Sequence, residues 1–219
     1  MENKKNIWNI PNILSLSRIF FSFLLILIFL LGSDLFNVIK TDFKISDNFH
    51  LPLTYLLCFL IFLIASLTDW FDGYIARKYN MVTVFGKFID SIADKILTNS
   101  ALFLLAFSKI IPIWIALILL IRDLIIDTMK GILGSKGIIV GANYLGKIRA
   151  FALMGILTIY FIFNINTLSH NGCLLNTIPY SLFSQLLLVP IYLVTILSII
   201  SAIVYLKHYW KDLVNNDNK

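Results

Sequence analysis

Six segments that are candidates to cross a lipid bilayer, several with an apolar stretch shortened by charges at one end, limit what this chain can fold into. They run over Asn12–Leu31, Leu51–Asp72, Phe85–Phe107, Ile110–Lys130, Lys147–Phe163 and Ser181–Leu206. A membrane-spanning helix needs roughly 17–25 mostly apolar residues. The 219 residues are 59% hydrophobic and only 14% charged, where a soluble domain carries about 25% charged residues. The pattern predicts an all-α, polytopic membrane protein: a six-transmembrane-helix bundle forming a single domain over residues 1–219. Ahead of the first span, Ile7, Trp8, Ile10, Ile13 and Leu14 alternate with polar residues. They predict a short interfacial helix broken at Pro11, with Trp8 at headgroup depth. The loop Gly32–His50 reads as a plain external connection.

Lys4 and Lys5 before an apolar run loosely resemble a signal peptide. Arg18 interrupts that run, and no small-residue cleavage site follows Leu31, so the sequence predicts a retained first span. Cys58 and Cys173 stand far apart without CxxC or histidine-rich spacing and read as unrelated thiols. A net charge of +6 could suit nucleic acid, but the charges cluster at the ends of apolar runs, where they orient helices in a bilayer. Membrane lipid is therefore the expected partner, and nucleic acid is not. With six spans, one side receives Lys4, Lys5, Arg77, Lys78, Lys87, Lys130, Lys136, Lys147, Arg149, Lys207 and Lys211. The other receives only Lys40, Lys44 and Lys109. The positive-inside rule makes the crowded side cytoplasmic, with both termini there.

Against this apolar background stands DWFDGYIARKYNMVTVFGKFIDSIAD, residues 69–94, with Asp69, Asp72, Asp90 and Asp94 in two closely spaced pairs. At about 100° per residue, Asp69, Asp72, Gly73 and Ala76 share one helix face. Gly86, Asp90 and Asp94 recur every four residues and share another. Small residues at Gly73, Ala76 and Gly86 allow two backbones, or a ligand, to approach closely. A single aspartate at a helix end would read as a cap, or as a partner for Arg77, Lys78, Lys87 or Lys95. Four on converging faces repel one another and resist burial unless compensated. Divalent cations compensate them, and oxygen-only ligands without His or Cys suit Mg²⁺ or Mn²⁺. Two such ions about 3.5–4 Å apart are an arrangement that clamps a phosphoryl group during in-line displacement.

These residues spell D-x2-D-G-x2-A-R-x8-G-x3-D-x3-D without a departure, and the stretch resembles the signature of the CDP-alcohol phosphatidyltransferase family. The resemblance implies a cytoplasm-facing active site in a bacterial inner-membrane enzyme, commonly a homodimer. It implies that Asp69, Asp72, Asp90 and Asp94 hold two metal ions that grip the diphosphate of a CDP-linked lipid. Asn12, Gly73, Ala76, Arg77, Thr83 and Gly86 would form the CDP-lipid site, with Gly73, Arg77 and Thr83 contacting the nucleotide. Asp94 would also be the general base that takes the proton of the attacking alcohol.

NIPNILSLSR, with Pro11, Asn12 and Arg18, is similar to the N-terminal motif of the family's glycerol-3-phosphate branch. Arg122-Asp123, Lys130, Lys136-Gly137 and Gly146-Lys147 follow the same branch. That likeness implies CDP-diacylglycerol and sn-glycerol 3-phosphate as substrates. Ala150 and Leu153 depart from it, standing where the branch has Thr and Gln. Arg122 and Arg149 adjoin apolar spans, where an unpaired charge is costly, and with Lys130 and Lys147 they are candidates for binding the acceptor's phosphate. Lys130 also fits a plain orienting role. The alternatives are the same chemistry on phosphatidylglycerol, serine or an inositol phosphate, and, in a different class, a divalent-cation transporter.

Overall fold

The computed structural model describes residues 9–33, 42–46, 49–79, 83–137, 144–162 and 180–214. Among the described residues, six long helices carry the chain: α1 (Ile10–Gly32), α2 (Leu53–Lys78), α3 (Val84–Phe107), α4 (Ile113–Ser135), α5 (Tyr144–Ile162) and α6 (Tyr180–Val214). Between α1 and α2 lies a short antiparallel hairpin, β1 (Asp42–Ser46) and β2 (Phe49–Pro52), which pairs Phe43 with Leu51 and Lys44 with His50. The segment expected to be a plain connection thus contains paired strands. β2 also takes Leu51 and Pro52 from the start of the expected second span.

Among the described residues, four helical segments are long and apolar enough to cross a membrane: Asn12–Gly32, Leu53–Gly73, Tyr144–Ile162 and Leu188–Trp210. α3 and α4 match them in length, with 24 and 23 residues. They carry four charges each, Lys87, Asp90, Asp94 and Lys95 on α3 and Arg122, Asp123, Asp127 and Lys130 on α4, where the four segments carry at most two each.

Local chemistry accounts for the helix ends. Pro11 falls in the first turn of α1, where its missing N–H removes nothing from the helix. It therefore does not break the chain there, and residues 1–8, where most of the interfacial helix would lie, are outside the described residues. Thr83 caps α3, its Oγ1 accepting a 2.9 Å hydrogen bond from the Gly86 N–H. Between α3 and α4, Lys109 takes a left-handed φ of 59°, and Pro112 stands at the N-cap of α4. Gly137 ends α4 with φ 75°, a conformation glycine adopts without penalty. α6 has 35 residues, about 50 Å at helical rise, and continues through Pro190.

Packing contacts group the chain into two compact units. One holds residues 1–110 and 157–180, and its core includes the fully buried Leu25, Phe62, Leu97, Leu105 and Phe161. Phe62 meets Phe161 at 5.7 Å, and Phe29 sets its edge against Tyr55 at 6.0 Å and Phe107 at 6.1 Å. The other unit holds residues 111–156 and 181–219; there Ile126 and Met129 of α4 cluster with Ala202 and Tyr205 of α6.

α1 shows what solvent the fold is built for. Asn12, Ser15, Arg18 and Ser22 are buried, while Phe20, Phe23 and Leu27 are exposed. A helix in water would reverse this. With lipid outside, the polar side chains turn inward to find partners.

At the other end of α1, Gly32 lies against Thr54 of α2, and a Cβ at position 32 would overlap the stiff threonine side chain. Gly32→Val should destabilise the protein by about 1–3 kcal/mol. Thermal unfolding in detergent should show a lowered Tm, partly restored by adding Thr54→Ala.

Candidate active site

The site in the first unit begins with the spacing of polar residues on α1. Asn12, Ser15, Arg18 and Ser22 recur at three- and four-residue steps and so occupy one helix face. That face meets the ends of α2 and α3 that carry the aspartates. The Arg18 side chain is fully buried, and its guanidinium sits among three carboxylates. Nη1 lies 2.6 Å from Asp69 Oδ1 and 3.2 Å from Asp90 Oδ1, and Nη2 lies 2.5 Å from Asp72 Oδ2. Ser15 Oγ donates to Asp72 at 3.3 Å and to Asp90 at 3.5 Å. Ser22 Oγ donates to the Arg18 carbonyl one turn away at 2.9 Å.

The carboxylates grade from buried to open. The side chain of Asp72 is 4% exposed, while those of Asp69 and Asp90 are 35% and 48% exposed. One oxygen from each lies within 4.8 Å of the others. Opposite ligands of an octahedral Mg²⁺ stand about 4.2 Å apart, twice the ~2.1 Å bond. Three hard oxygen donors gathered a little wider than this, open on one side, are a candidate group for a divalent cation of the Mg²⁺ class. Asp94, one turn beyond Asp90 on α3, stands outside this group of three.

Asn12 reaches the first turn of α3. A Cβ on Gly86 would collide with Asn12 Oδ1 and come within 2.9 Å of Thr83 Oγ1. Glycine at 86 thus lets Asn12 and the Thr83 cap share one small space. Gly73 follows Asp72 on α2. Ala76 and Arg77 lie on the last turns of that helix, and their side chains are outside the described residues.

In the second unit, Arg122 and Arg149 come together around Asp123. Its Oδ1 accepts from Arg122 Nη1 at 2.9 Å and pairs with Arg149 Nη1 at 2.8 Å. α6 completes the network: Arg122 donates to the Ser198 carbonyl (3.3 Å) and to Ser201 Oγ (3.2 Å), and Arg149 donates to Ser198 Oγ (3.1 Å). Two guanidiniums thus share the Asp123 carboxylate, and Asp127, one turn further along α4, adds a second negative charge that acts on Arg122. Lys130 is exposed, with Nζ 6.0 Å over the Tyr205 ring, and Lys147 is exposed. Of the four proposed phosphate-binding cations, the structure brings together the two arginines.

The sequence reading did not place Ser15, Arg18, Asp123, Ser198 or Ser201 in a site. The signal for the first two was available, since polar residues recurring on one face of an apolar helix seek protein partners. Gly86→Ala should displace Asn12 and loosen the Thr83 cap. We expect a loss of about 1–3 kcal/mol in thermal stability, with turnover falling at least tenfold in a product-release assay.

A family model described as CDP-alcohol phosphatidyltransferase matches residues 8–210. The CDP-diacylglycerol–glycerol-3-phosphate 3-phosphatidyltransferase of Bacillus subtilis (strain 168) is 37% identical over 145 residues, 66% of this chain and 72% of the relative. The protein of the same name from Mycoplasma genitalium is 32% identical over 198 residues, 90% of this chain and 81% of the relative. Its namesake from Rickettsia bellii is 34% identical over 151 residues, 69% of this chain and 74% of the relative. With its apolar helices and this match along nearly its whole length, the chain is an integral membrane protein and belongs to the CDP-alcohol phosphatidyltransferase family.

Proposed function

We propose that the protein transfers a phosphatidyl group from CDP-diacylglycerol to sn-glycerol 3-phosphate, giving phosphatidylglycerophosphate and CMP. The observation that carries this is the convergence of Asp69, Asp72 and Asp90 from two helices on one small space. The names of the relatives supply the two substrates. They favour glycerol 3-phosphate over other acceptors despite Ala150 and Leu153, and a transferase over a cation transporter.

In this reading Asp69, Asp72, Asp90 and Asp94 hold two divalent ions, Mg²⁺ or Mn²⁺, which when bound neutralise and orient the diphosphate. Asn12, Gly73, Ala76, Arg77, Thr83 and Gly86 line the CDP-lipid site, with small residues admitting the nucleotide close to backbone. Asp94 takes the proton from the acceptor's hydroxyl as its oxygen bonds to the lipid-side phosphorus. The bond from that phosphorus to the bridging oxygen breaks, and CMP leaves with the electron pair. Positioning supplies much of the rate, so Asp94 need not be a strong base. Arg122 and Arg149, with Lys130 and Lys147, bind the acceptor's phosphate, for which a forked guanidinium pair is well suited.

The same reading makes residues 1–219 one catalytic domain with six spans, α3 and α4 included. At about 1.5 Å per residue both exceed a hydrocarbon core of about 30 Å. Both termini and the site face the cytoplasm across a bacterial inner membrane, and the enzyme acts as a homodimer.

The decisive experiment is CMP release by purified protein in detergent with CDP-diacylglycerol, Mg²⁺ and a panel of acceptors. Release is expected with glycerol 3-phosphate, to be lost in chelator and regained with Mg²⁺ or Mn²⁺. Release only with another alcohol would overturn the acceptor. Asp94→Asn should lower kcat at least about 100-fold with the fold retained. Arg149→Ala should raise KM for glycerol 3-phosphate by about 10-fold or more while leaving that for CDP-diacylglycerol nearly unchanged; equal changes in both would refute its role.

A further inference from the structure

A fully buried arginine inside a set of carboxylates read as metal ligands is not explained by metal binding, since a fixed cation there opposes a divalent one. Three carboxylates from two helices cannot stay ionised so close together without compensation. Among the described residues, Arg18 is the cation that reaches all three, from a third helix. Its placement is dictated by them: both Nη atoms point at carboxylate oxygens, while the buried Nε has no hydrogen-bond partner. An arginine packed to satisfy itself would not leave that donor idle.

We propose that Arg18 is the resident counter-cation of the carboxylate site, a positioning residue that keeps α1, α2 and α3 converged when divalent ions are absent. The consequence is specific. Without Arg18 the folded state should depend on divalent metal, because metal is then the remaining source of compensating charge. A residue that merely fills space would show no such dependence. This inference rests on the metal-binding reading of Asp69, Asp72 and Asp90, and its test separates the two.

The test is thermal unfolding of the purified protein in detergent, in chelator and again with saturating Mn²⁺, for wild type, Arg18→Gln and Arg18→Lys. In chelator, Arg18→Gln should unfold on the order of 10 °C below wild type. Mn²⁺ should return most of that loss, a larger gain than it gives wild type. Arg18→Lys should lie between them, since it keeps the charge but not the fork. A Mn²⁺ gain that is present and equal in wild type and Arg18→Gln would overturn the proposal.

A charge cycle covers the remaining outcomes. Adding Asp72→Asn to Arg18→Gln removes one uncompensated carboxylate, so in chelator the double variant should be recovered better and melt higher than Arg18→Gln alone. If it is no better, the counter-cation role is refuted, including where Arg18→Gln alone fails to accumulate. If the cycle holds but no chain responds to Mn²⁺, the metal reading fails and Arg18 remains the counter-ion only of the empty fold.

Discussion

The fold of the first unit depends on how negative charge is held away from water. Asp69 and Asp72 on α2 and Asp90 on α3 approach one another beside an apolar core, and Arg18 on α1 lies among them. Removing such charges from water is costly, and their mutual attraction offsets that cost only when geometry is close and the remaining polar atoms are bonded. Ser15 bonds two of the carboxylates, and Ser22 bonds the carbonyl of Arg18. The exposed aromatic and aliphatic residues of α1 follow from the same requirement, since the polar stripe can be satisfied only inward and lipid tolerates the rest.

The second unit solves a related problem with the opposite sign. Arg122 and Arg149 would repel one another on adjoining helices; Asp123 between them and the hydroxyl and carbonyl groups of α6 offset that repulsion. Ser198 and Ser201 are both essentially buried and spend their polar atoms on these arginines. A helix that looks merely apolar in sequence is therefore the partner that orients two guanidiniums. Rigid placement matters for phosphate binding, because a fork aimed in advance loses less entropy when it binds.

Much of the helical architecture could be read directly. Each of the six expected spans corresponds to a helix, because long apolar runs leave the backbone few alternatives where water is scarce. The ends were less legible. Leu51 and Pro52 belong to a strand, since hairpin pairing between residues 42–46 and 49–52 is a contact between segments and leaves little local trace. α2 continues to Lys78, past the point where apolar character ends, because helical hydrogen bonding does not stop at the first charge. Pro11 looked like a break and is instead a helix start, a distinction that depends on where the first turn falls.

The aspartate motif was legible because its spacing sets helix faces, and small residues at Gly73 and Gly86 marked a close approach. Gly86 has a concrete cause in the structure, the proximity of Asn12 and Thr83. Arg18 was not legible as part of that group: at 51 residues' remove from Asp69, it read as a charge interrupting an apolar run and as one residue of the N-terminal motif, not as a partner of the aspartates. The sequence by itself determined the membrane as solvent, the helices and the helix faces that bring Asp69, Asp72 and Asp90 together, because hydropathy and helical periodicity are local properties of the chain. Tertiary structure alone decided which cation faces those aspartates and which serines hold Arg122 and Arg149. Charge pairing in a low-dielectric interior acts across space and is indifferent to distance along the chain.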